Sequence, residues 1–381
     1  MIITNGKVYT MEGPIYENGF VVIENNKIKS VGDMKDLKMP SCEKIVDANG
    51  GYVFPGLIDA HSHLGVFGDG IGFEDNDGNE ITDPVTPHVR AIDAFTPICR
   101  NIAEARQAGV TCVITGPGSG NPIGGQLFAV KTVGNRVDNM ILKAPAAMKM
   151  ALGENPKRCY GKANKMPMTR MGTAAVIREA LFKAKEYMES KEAGKETKFD
   201  MKMEALIPVL KREIPVHIHC HRAVDIFTAI RIAKEFNLDY AIVHGTEGHL
   251  VAEELAKEHA QVISGPALCG RGKPEVTNKT FEAPGILNKA GVLVSITVDH
   301  PVTPIEYLPT CAAMAVKNGL DEYEAFKAMT INSAIIGRID DRVGSLKAGK
   351  DADIVIFDGN PLEYATKAKV VIIDGNIVEE E

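Results

Sequence analysis

The sequence predicts an α/β protein: a TIM-like (β/α)8 barrel joined to a small β-sandwich that both chain termini build. The chain has 381 residues, and an α/β barrel usually needs about 250, which leaves room for one accessory domain. Apolar, β-prone runs alternate with longer amphipathic segments through the middle of the chain, as in parallel β/α folds. The expected boundaries are 1–50 plus 340–381 for the sandwich and 51–339 for the barrel.

The two ends of the chain share one sequence texture. Alternating apolar and polar residues, broken at Asn-Gly and Asn-Asn pairs, run through MIITNGKVYT, FVVIENNKIKSVG and KIVDANGGYVF, and the same alternation returns in ADIVIFDGN and KVVIIDGNIVEE. Such alternation indicates half-exposed strands, and Asn-Gly favours tight turns. We therefore expect the two ends to pair in space. Two independent β-extensions are the alternative.

Eight apolar runs in the middle of the chain are the expected barrel strands. They are residues 52–59, 111–115, 127–133, 144–151, 216–221, 239–244, 261–264 and 292–297. Helical periodicity is clearest at 225–235, 249–258 and 307–317, and a long helical insertion is expected at 171–213. The weakest connection is GPGSGNPIGGQ (116–126), which is too short and glycine-rich for a crossover helix. The second or third strand is therefore open to reassignment.

Composition excludes several functional classes. A formal net charge of -7 leaves no basic surplus to neutralise phosphates, so we expect no nucleic-acid partner. No apolar run approaches the roughly 20 residues that span a bilayer, so we expect no membrane association. Seven cysteines without a CxxC pair predict reduced thiols in a cytoplasmic protein. A small-molecule substrate is the expected partner. Assembly into a homo-oligomer is left open, since no sequence feature fixes the number of subunits.

Two histidines one residue apart follow the first predicted barrel strand, in GLIDAHSHLG. On an extended chain, residues two apart point to the same side, so His61 and His63 can both reach one metal ion. The alternative is two unrelated polar residues in a turn.

Further candidate ligands stand where other predicted strands end. They are Lys149, His219, His244 and Asp299, and β/α barrels place their active sites at this edge. A single histidine at a strand end is more often an ordinary polar residue, but six candidates at one edge predict a site for one or two divalent ions. Imidazole and carboxylate ligands suit zinc first, and also manganese, iron or nickel.

GLIDAHSHLG and VGSLKAGKDADIVIF (343–357) resemble the opening and closing motifs of the amidohydrolase superfamily, and the ligand pattern extends the resemblance over essentially the whole chain. The resemblance is closest to the imidazolonepropionase-related branch, which includes cyclic-amide hydrolases and metallo-dipeptidases. It implies a metal-dependent hydrolase of amide or cyclic-amide C–N bonds in a small molecule or dipeptide, rather than of ordinary protein peptide bonds. The implied metal ligands are His61, His63, Lys149, His219, His244 and Asp299.

Two of these assignments carry alternatives. In VHIHCHR the resemblance implies a ligand at His219, with His217 deeper in the barrel and His221 near the substrate or, alternatively, itself the ligand. In binuclear relatives a lysine like Lys149 reacts with carbon dioxide, and the carbamate bridges two metals. A lysine that points outward, a substrate-binding cation, or a carboxylate ligand at Glu154 are the alternatives.

The resemblance also implies a mechanism. A divalent ion activates a water that attacks the carbonyl, while Asp299 acts as general base and then as general acid toward the leaving nitrogen. Candidate substrate-binding residues are His221, Arg222, Arg271 and His300. The two arginines are candidates because arginine can bind a carboxylate through two parallel hydrogen bonds. Mononuclear ring opening of the imidazolonepropionase type, deamination of a heterocycle, and a catalytically silent binding or assembly homologue are the alternative functions.

Overall fold

The computed structural model describes residues 1–38, 44–68, 72 and 74–378. Within them the strands form two eight-stranded sheets. The strands are β1 (Ile2–Tyr9), β2 (Ile15–Glu24), β3 (Lys27–Asp33), β4 (Ile45–Asp47), β5 (Tyr52–Pro55), β6 (Leu57–Ser62), β7 (Val110–Thr115), β8 (Ile123–Lys131), β9 (Ile141–Ala151), β10 (Val216–Cys220), β11 (Tyr240–His244), β12 (Gln261–Ser264), β13 (Leu293–Ile296), β14 (Ile354–Phe357), β15 (Ala368–Ile373) and β16 (Asn376–Ile377). The helices are α1 (Arg100–Gln107), α2 (Glu154–Gly161), α3 (Arg170–Glu192), α4 (Met201–Leu210), α5 (Ala223–Phe236), α6 (Ala252–Lys257), α7 (Ala283–Lys289), α8 (Leu308–Lys317), α9 (Glu322–Ala328) and α10 (Ile331–Ile336).

The first sheet joins the two ends of the chain. Its order is β16-β15-β14-β5-β1-β2-β3, and β4 pairs with β1. Strand β5 connects the two termini, since it runs parallel to β1 and antiparallel to β14, with Tyr52 opposite Phe357. Buried side chains from both ends, including Ile3, Val21 and Ile354, share one apolar cluster. The prediction that the two ends pair in space is therefore confirmed, and the alternative of two independent β-extensions is wrong. A sandwich form and the boundaries 1–50, 340–381 and 51–339 stay predictions.

The second sheet is a nearly closed barrel whose strands β6 to β13 follow one another in chain order. Seven of the strands are mutually parallel, whereas β8 runs antiparallel to both β7 and β9. An all-parallel barrel is thus wrong at β8. The physical reason lies in the glycine-rich segment after β7, which is too short for a crossover helix and makes a hairpin connection instead.

The predicted strand 52–59 is also wrong as one element. It divides at Gly56, where β5 enters the terminal sheet and β6 opens the barrel. A Cβ at Gly56 would lie 1.9 Å from Thr111 Oγ1, so only glycine permits this close passage between the two sheets. The other seven predicted strands match β7 to β13 with shifted ends.

Hydrogen bonds outside the strand ladders hold the barrel together between β13 and β6. Thr297 Oγ1 donates to the carbonyl of His61 over 2.6 Å, and the backbone N–H of Val298 donates to Asp59 Oδ2 over 3.1 Å. The N–H of His63 donates to the carbonyl of His300 over 3.0 Å. These bonds fix the end of β6 against the segment that follows β13.

The helices agree with the periodicity of the sequence. The predictions at 225–235, 249–258 and 307–317 correspond to α5, α6 and α8, and the insertion at 171–213 forms α3 and α4. Thr169 and Asp200 cap the first turns of α3 and α4 with their side-chain oxygens, which satisfies N–H groups that lack helical partners.

Two findings concern the predicted environment of the chain. Among the described helices, none combines the length and the apolar character needed to cross a membrane. Six cysteines are free thiols, whereas Cys42 lies outside the described residues.

Candidate metal centre and active site

The six predicted ligands converge at one end of the barrel. His61, Lys149, His219 and His244 lie in the last three residues of their strands, His63 follows β6 directly, and Asp299 lies three residues after the end of β13. All six are buried, with His61 and Lys149 fully inaccessible. The seven parallel strands end at the same edge, and β9, which supplies Lys149, is one of them because it runs parallel to β10. These side chains therefore face one space.

Asp299 stands at the centre of the first group. Its Oδ1 lies 3.3 Å from His63 Nε2 and 3.6 Å from His61 Nε2, and its Oδ2 lies 4.0 Å from His244 Nε2. Two ligands bound tetrahedrally to one zinc ion at about 2.0–2.2 Å lie roughly 3.3–3.6 Å apart. The spacings around Asp299 are thus close to those between ligands that share one ion.

Hydrogen bonds to the Nδ1 atoms orient these imidazoles. His63 Nδ1 lies 2.7 Å from the carbonyl oxygen of Gly116, and His244 Nδ1 lies 2.7 Å from that of Gly265. A carbonyl only accepts hydrogen bonds, so each Nδ1 carries the proton and each Nε2 keeps a free lone pair. Those lone pairs belong to the atoms that face Asp299. The residues therefore fit a divalent ion.

Burial keeps the imidazoles of His61, His219 and His244 in the neutral form that binds metals. It lowers the pKa of His61 well below the usual value, and the nearby Lys149 ammonium lowers it further. Burial, followed by the neighbouring His244, does the same for His219. The pKa of His244 falls to about 4, chiefly through burial, although Asp299 partly opposes this shift.

Lys149 is a fully buried lysine whose Nζ lies 2.7 Å from His61 Nε2. Burial lowers its pKa to about 7, because a desolvated ammonium is costly. A substantial fraction of neutral amine therefore exists near neutral pH. The alternative in which this lysine points outward to solvent is therefore wrong.

Two of the converging residues adopt backbone conformations that side chains rarely take. His244 has φ +72° and Asp299 has φ +53°. Left-handed conformations of this kind cost of order 1–3 kcal/mol each and persist only where the surrounding structure imposes them. Here they turn both side chains toward the same space at the strand ends.

A cavity of about 430 Å³ opens over these residues. Its floor includes His63, His219 and Asp299, and its wall includes Gly118 and Ser119 from the glycine-rich segment. A volume of this size suits a small molecule. The same cavity is lined by further side chains that the sequence did not single out: Asn155, Arg158, Lys273 and Lys279.

Three residues predicted to bind substrate lie elsewhere. Arg222 and Arg271 do not line this cavity; Arg271 donates to the carbonyls of Thr277 and Lys279 instead. His300 is buried and its Nδ1 accepts the backbone N–H of Ile305. These positions give no support to a role in substrate binding. For Arg271 the physical reason is that the loop after β12 folds the side chain onto its own backbone.

Sequence reasoning also missed Glu275, a buried carboxylate beside the histidines of β10. Its Oε1 lies 3.7 Å from His221 Nε2 and 4.0 Å from His219 Nε2. Its other oxygen accepts the backbone N–H of Glu154 over 2.9 Å. Glu275 lies eleven residues after β12, in a single 3-10 turn over Pro274–Val276, so no periodicity or motif in the sequence distinguishes it.

Comparison with known proteins gives concordant results. The profile of the amidohydrolase family matches residues 52–378. The amidohydrolase tasK of Hapsidospora irregularis is 31% identical over 94% of this chain, although the chain spans only 39% of that relative's length. An imidazolonepropionase of Fusobacterium nucleatum is 24% identical over 92% of this chain and 87% of its own length. The crystal structure of an amidohydrolase from Thermotoga maritima superimposes with a TM-score of 0.95 at 44% identity, covering 100% of both chains. The chain therefore belongs to the amidohydrolase family, whose members are hydrolases of C–N bonds.

Proposed function

We propose that this chain is a metal-dependent hydrolase that cleaves an amide or cyclic-amide C–N bond in a small molecule or dipeptide. The observation that carries the proposal is the convergence of the Nε2 atoms of His61, His63 and His244 on Asp299, at the floor of a substrate-sized cavity. The proposed ligands are His61, His63, Lys149, His219, His244 and Asp299. Zinc is the preferred ion because imidazole and carboxylate ligands suit it.

A divalent ion bound here supplies Lewis acidity, which lowers the pKa of a water molecule and polarises a carbonyl group. The protein contributes the oriented imidazoles of His63 and His244, whose Nδ1 atoms are already bound to the carbonyl oxygens of Gly116 and Gly265. That orientation exists before substrate arrives, so little reorganisation is needed when charge develops.

Asp299 is the proposed general base and general acid. Burial alone would raise its pKa, but His244 and His63 outweigh that effect and hold the pKa below the usual value. The side chain is therefore a carboxylate at neutral pH. Its Oδ1 has no hydrogen-bond partner among the described residues. It can take a proton from water and return it to the leaving nitrogen.

Lys149 is the proposed site of a carbamate formed with carbon dioxide. The reaction needs a neutral amine, and the buried Lys149 has a pKa of about 7. The modification would convert a buried cation into a carboxylate-like group beside His61. It would also remove the positive charge that opposes metal binding at His61.

A narrower candidate is ring opening of an imidazolonepropionate-like cyclic amide. The 24% identity to an imidazolonepropionase over most of both chains favours including this class. Such chemistry, like deamination of a heterocycle, can proceed with one ion. A catalytically silent homologue would have no physical need for six convergent ligand groups.

The test is a hydrolysis screen with cyclic amides, N-acyl amino acids and dipeptides, using zinc-loaded and chelator-treated protein. Hydrolysis of at least one class that disappears on chelation and returns with zinc supports the proposal. Turnover that survives complete removal of divalent ions would contradict it.

A further inference from the structure

The cavity over the candidate metal centre carries a surplus of positive charge. Three cationic side chains line it, namely Arg158, Lys273 and Lys279, whereas Asp299 is its one lining carboxylate among the described residues. The whole chain has the opposite balance, with a formal net charge of -7. A cleft lined by one sign of charge concentrates ligands of the other sign. The local surplus therefore favours an anionic substrate.

The three cations differ in what they already bind. Lys273 Nζ lies 2.7 Å from Glu275 Oε1, so a buried carboxylate balances its charge. Lys279 Nζ donates to main-chain carbonyl oxygens, including that of Gly270 over 3.2 Å, and these carry no formal charge. Across the described part of the chain, no carboxylate pairs with Lys279, and no hydrogen bond or ion pair engages the Arg158 guanidinium. Two uncompensated positive charges thus remain at the cavity.

Helix α2, which carries Arg158, is anchored near both of its ends. At its start the N–H of Glu154 donates to Glu275 Oε2 over 2.9 Å. Near its end the hydroxyl of Tyr160 donates to Asn121 Oδ1 over 2.7 Å, and Asn121 belongs to the glycine-rich segment before β8. Arg158 lies between these two anchors. Its backbone is therefore held in place while its guanidinium stays available, and such preorganisation lowers the entropic cost of binding a ligand.

Arg158 lies on the face of α2 that points toward the metal centre. Asn155 and Arg158 are three residues apart, so they are neighbours on one side of the helix. Asn155 Nδ2 lies 3.4 Å from Nε2 of His219, one of the proposed metal ligands. With a rise of about 1.5 Å per residue, Arg158 is about 4.5 Å further along the helix axis. A ligand group bound by Arg158 would therefore lie beside the metal centre and not on it.

The chemistry of this wall fits a carboxylate. A guanidinium can bind a carboxylate through two parallel hydrogen bonds, and an ammonium such as that of Lys279 adds a point charge. Apolar side chains line the same cavity, among them Phe67, Val276 and Pro301. These surfaces suit an apolar portion of the substrate between its carboxylate and the bond that is cleaved.

We propose that Arg158, assisted by Lys279, binds a carboxylate of the substrate, so that the hydrolase acts on amides or cyclic amides that carry a free carboxylate. This inference rests on the proposed function, because it names the substrate class of the same site. Dipeptides, N-acyl amino acids and cyclic amides with an acidic side chain belong to this class. Neutral amides and the neutral heterocycles that deaminases act on do not.

The test compares kcat/KM of the zinc-loaded, full-length protein for acids and for the matching carboxamides, following hydrolysis of the bond that each pair shares. The pairs are N-acetylleucine and its carboxamide, glycylleucine and its carboxamide, and hydantoin-5-acetic acid and its carboxamide. We expect the wild type to prefer the acids. Arg158→Gln should reduce this preference by at least about tenfold, mainly through KM, because a hydrogen-bonded charge pair distant from the reacting atoms is lost.

Two further variants make the comparison specific. Arg158→Lys keeps the charge but not the two-pronged geometry, so it should restore only part of the preference for acids. Lys162→Gln is the matched control, since Lys162 is an exposed cation at the end of α2 that does not line the cavity. It should keep the preference of the wild type.

Isothermal titration with glutarate gives a readout that does not depend on turnover, because glutarate has two carboxylates and no C–N bond. We expect Arg158→Gln to weaken glutarate binding by at least about tenfold, while Lys162→Gln binds as the wild type does. Equal kcat/KM for acids and carboxamides, or a preference that survives Arg158→Gln, would overturn the inference and leave the proposed function intact. If no compound is hydrolysed, the proposed function fails and the titration alone decides the inference: equal or absent glutarate binding overturns it.

Discussion

At the scale of single residues, the chemistry depends on what surrounds Asp299. Three imidazoles lie within 4.0 Å of its carboxylate oxygens, and its backbone is held at φ +53°. Its N–H donates to Thr297 Oγ1 over 3.0 Å. The carboxylate is therefore oriented by its own strand end before any ligand binds.

Asp299→Asn should keep the fold and lose activity. The amide preserves size, but it cannot take up and return a proton, and general acid–base catalysis contributes about 10²–10⁴-fold to rates. We expect kcat to fall by at least about 10²-fold on the substrate identified by the screen. Circular dichroism and zinc content measured on the same sample separate this loss from unfolding, and a kcat near that of wild type would refute the role.

Residue types at strand ends were sufficient to predict which side chains converge. His61 and His63 follow from a spacing of two on an extended chain, and His244 and Asp299 from their places at the ends of apolar runs. Glu275 could not be predicted, because a single 3-10 turn in the long connection after β12 brings it to the site. The hydrogen bonds that orient the histidines could not be predicted either. Their acceptors are main-chain carbonyls, such as that of Gly265, which every residue type carries.

At the scale of elements, the antiparallel strand β8 determines which residues of the β7–β8 connection lie at the site. The segment between β7 and β8 turns back without a helix, which places Gly118 and Ser119 in the cavity wall and the carbonyl of Gly116 on His63. A crossover helix would have carried these residues away from the cavity. The hairpin thus supplies both an anchor and part of the binding surface.

Gly125 in β8 should be intolerant of a side chain. Its φ is +134°, and a Cβ would lie 2.5 Å from the carbonyl oxygen of Val89. We expect Gly125→Ala to lower the free energy of unfolding by about 1–3 kcal/mol. Gly124→Ala is the matched control, because a Cβ there meets its neighbours at 3.5 Å or more. Equal stability of the two variants in urea unfolding would contradict the strain argument.

Periodicity predicted the helices better than it predicted strand direction. Helix α5 follows from Ile226, Ile230 and Ala233, which share one buried face. An apolar run does not show whether its strand is parallel or antiparallel to its neighbours, so the sequence did not distinguish β8 from the other strands. The break at Gly56 was equally hidden, because the contact that demands glycine there comes from the distant Thr111.

At the scale of the whole molecule, a buried charge cluster joins the barrel to the terminal sheet. Lys131, the last residue of β8, lies 2.8 Å from Asp351, 3.1 Å from Asp353 and 2.5 Å from Asp374. Burial alone would lower the pKa of Lys131, but the three carboxylates outweigh it and raise the pKa. The lysine therefore stays charged and neutralises acids from the C-terminal segment.

Lys131→Met should destabilise the protein strongly. It would leave the buried Asp353 without its cation, whereas Asp351 keeps Arg342 and Lys27, and breaking a buried pair costs about 3–5 kcal/mol. Arg136→Gln is the control, since its exposed pair with Asp138 is expected to contribute at most about 1 kcal/mol. Urea unfolding should show a much larger loss for Lys131→Met, and similar losses would refute the importance of the cluster.

Glu12 should make stability depend on pH. Burial alone would raise its pKa, but Lys350 and Ser345 outweigh this and lower it from 4.5 to about 2. A lowered pKa means that the contact stabilises the fold above pH 4.5 and is lost as the pH falls toward 2. The difference in Tm between wild type and Glu12→Gln should therefore be largest at neutral pH and shrink by about pH 3. A difference that grows on acidification would contradict this sign.

The most direct test of the account is the metal content per chain of gently purified protein, read beside its intact native mass. A metal centre bridged by a carbamate on Lys149 predicts two divalent ions and an added mass that matches one carbon dioxide. One ion without added mass would remove the lysine from the metal site and favour mononuclear chemistry. A well-folded chain that takes up no divalent ion at all would contradict the central claim that these converging residues form a metal centre.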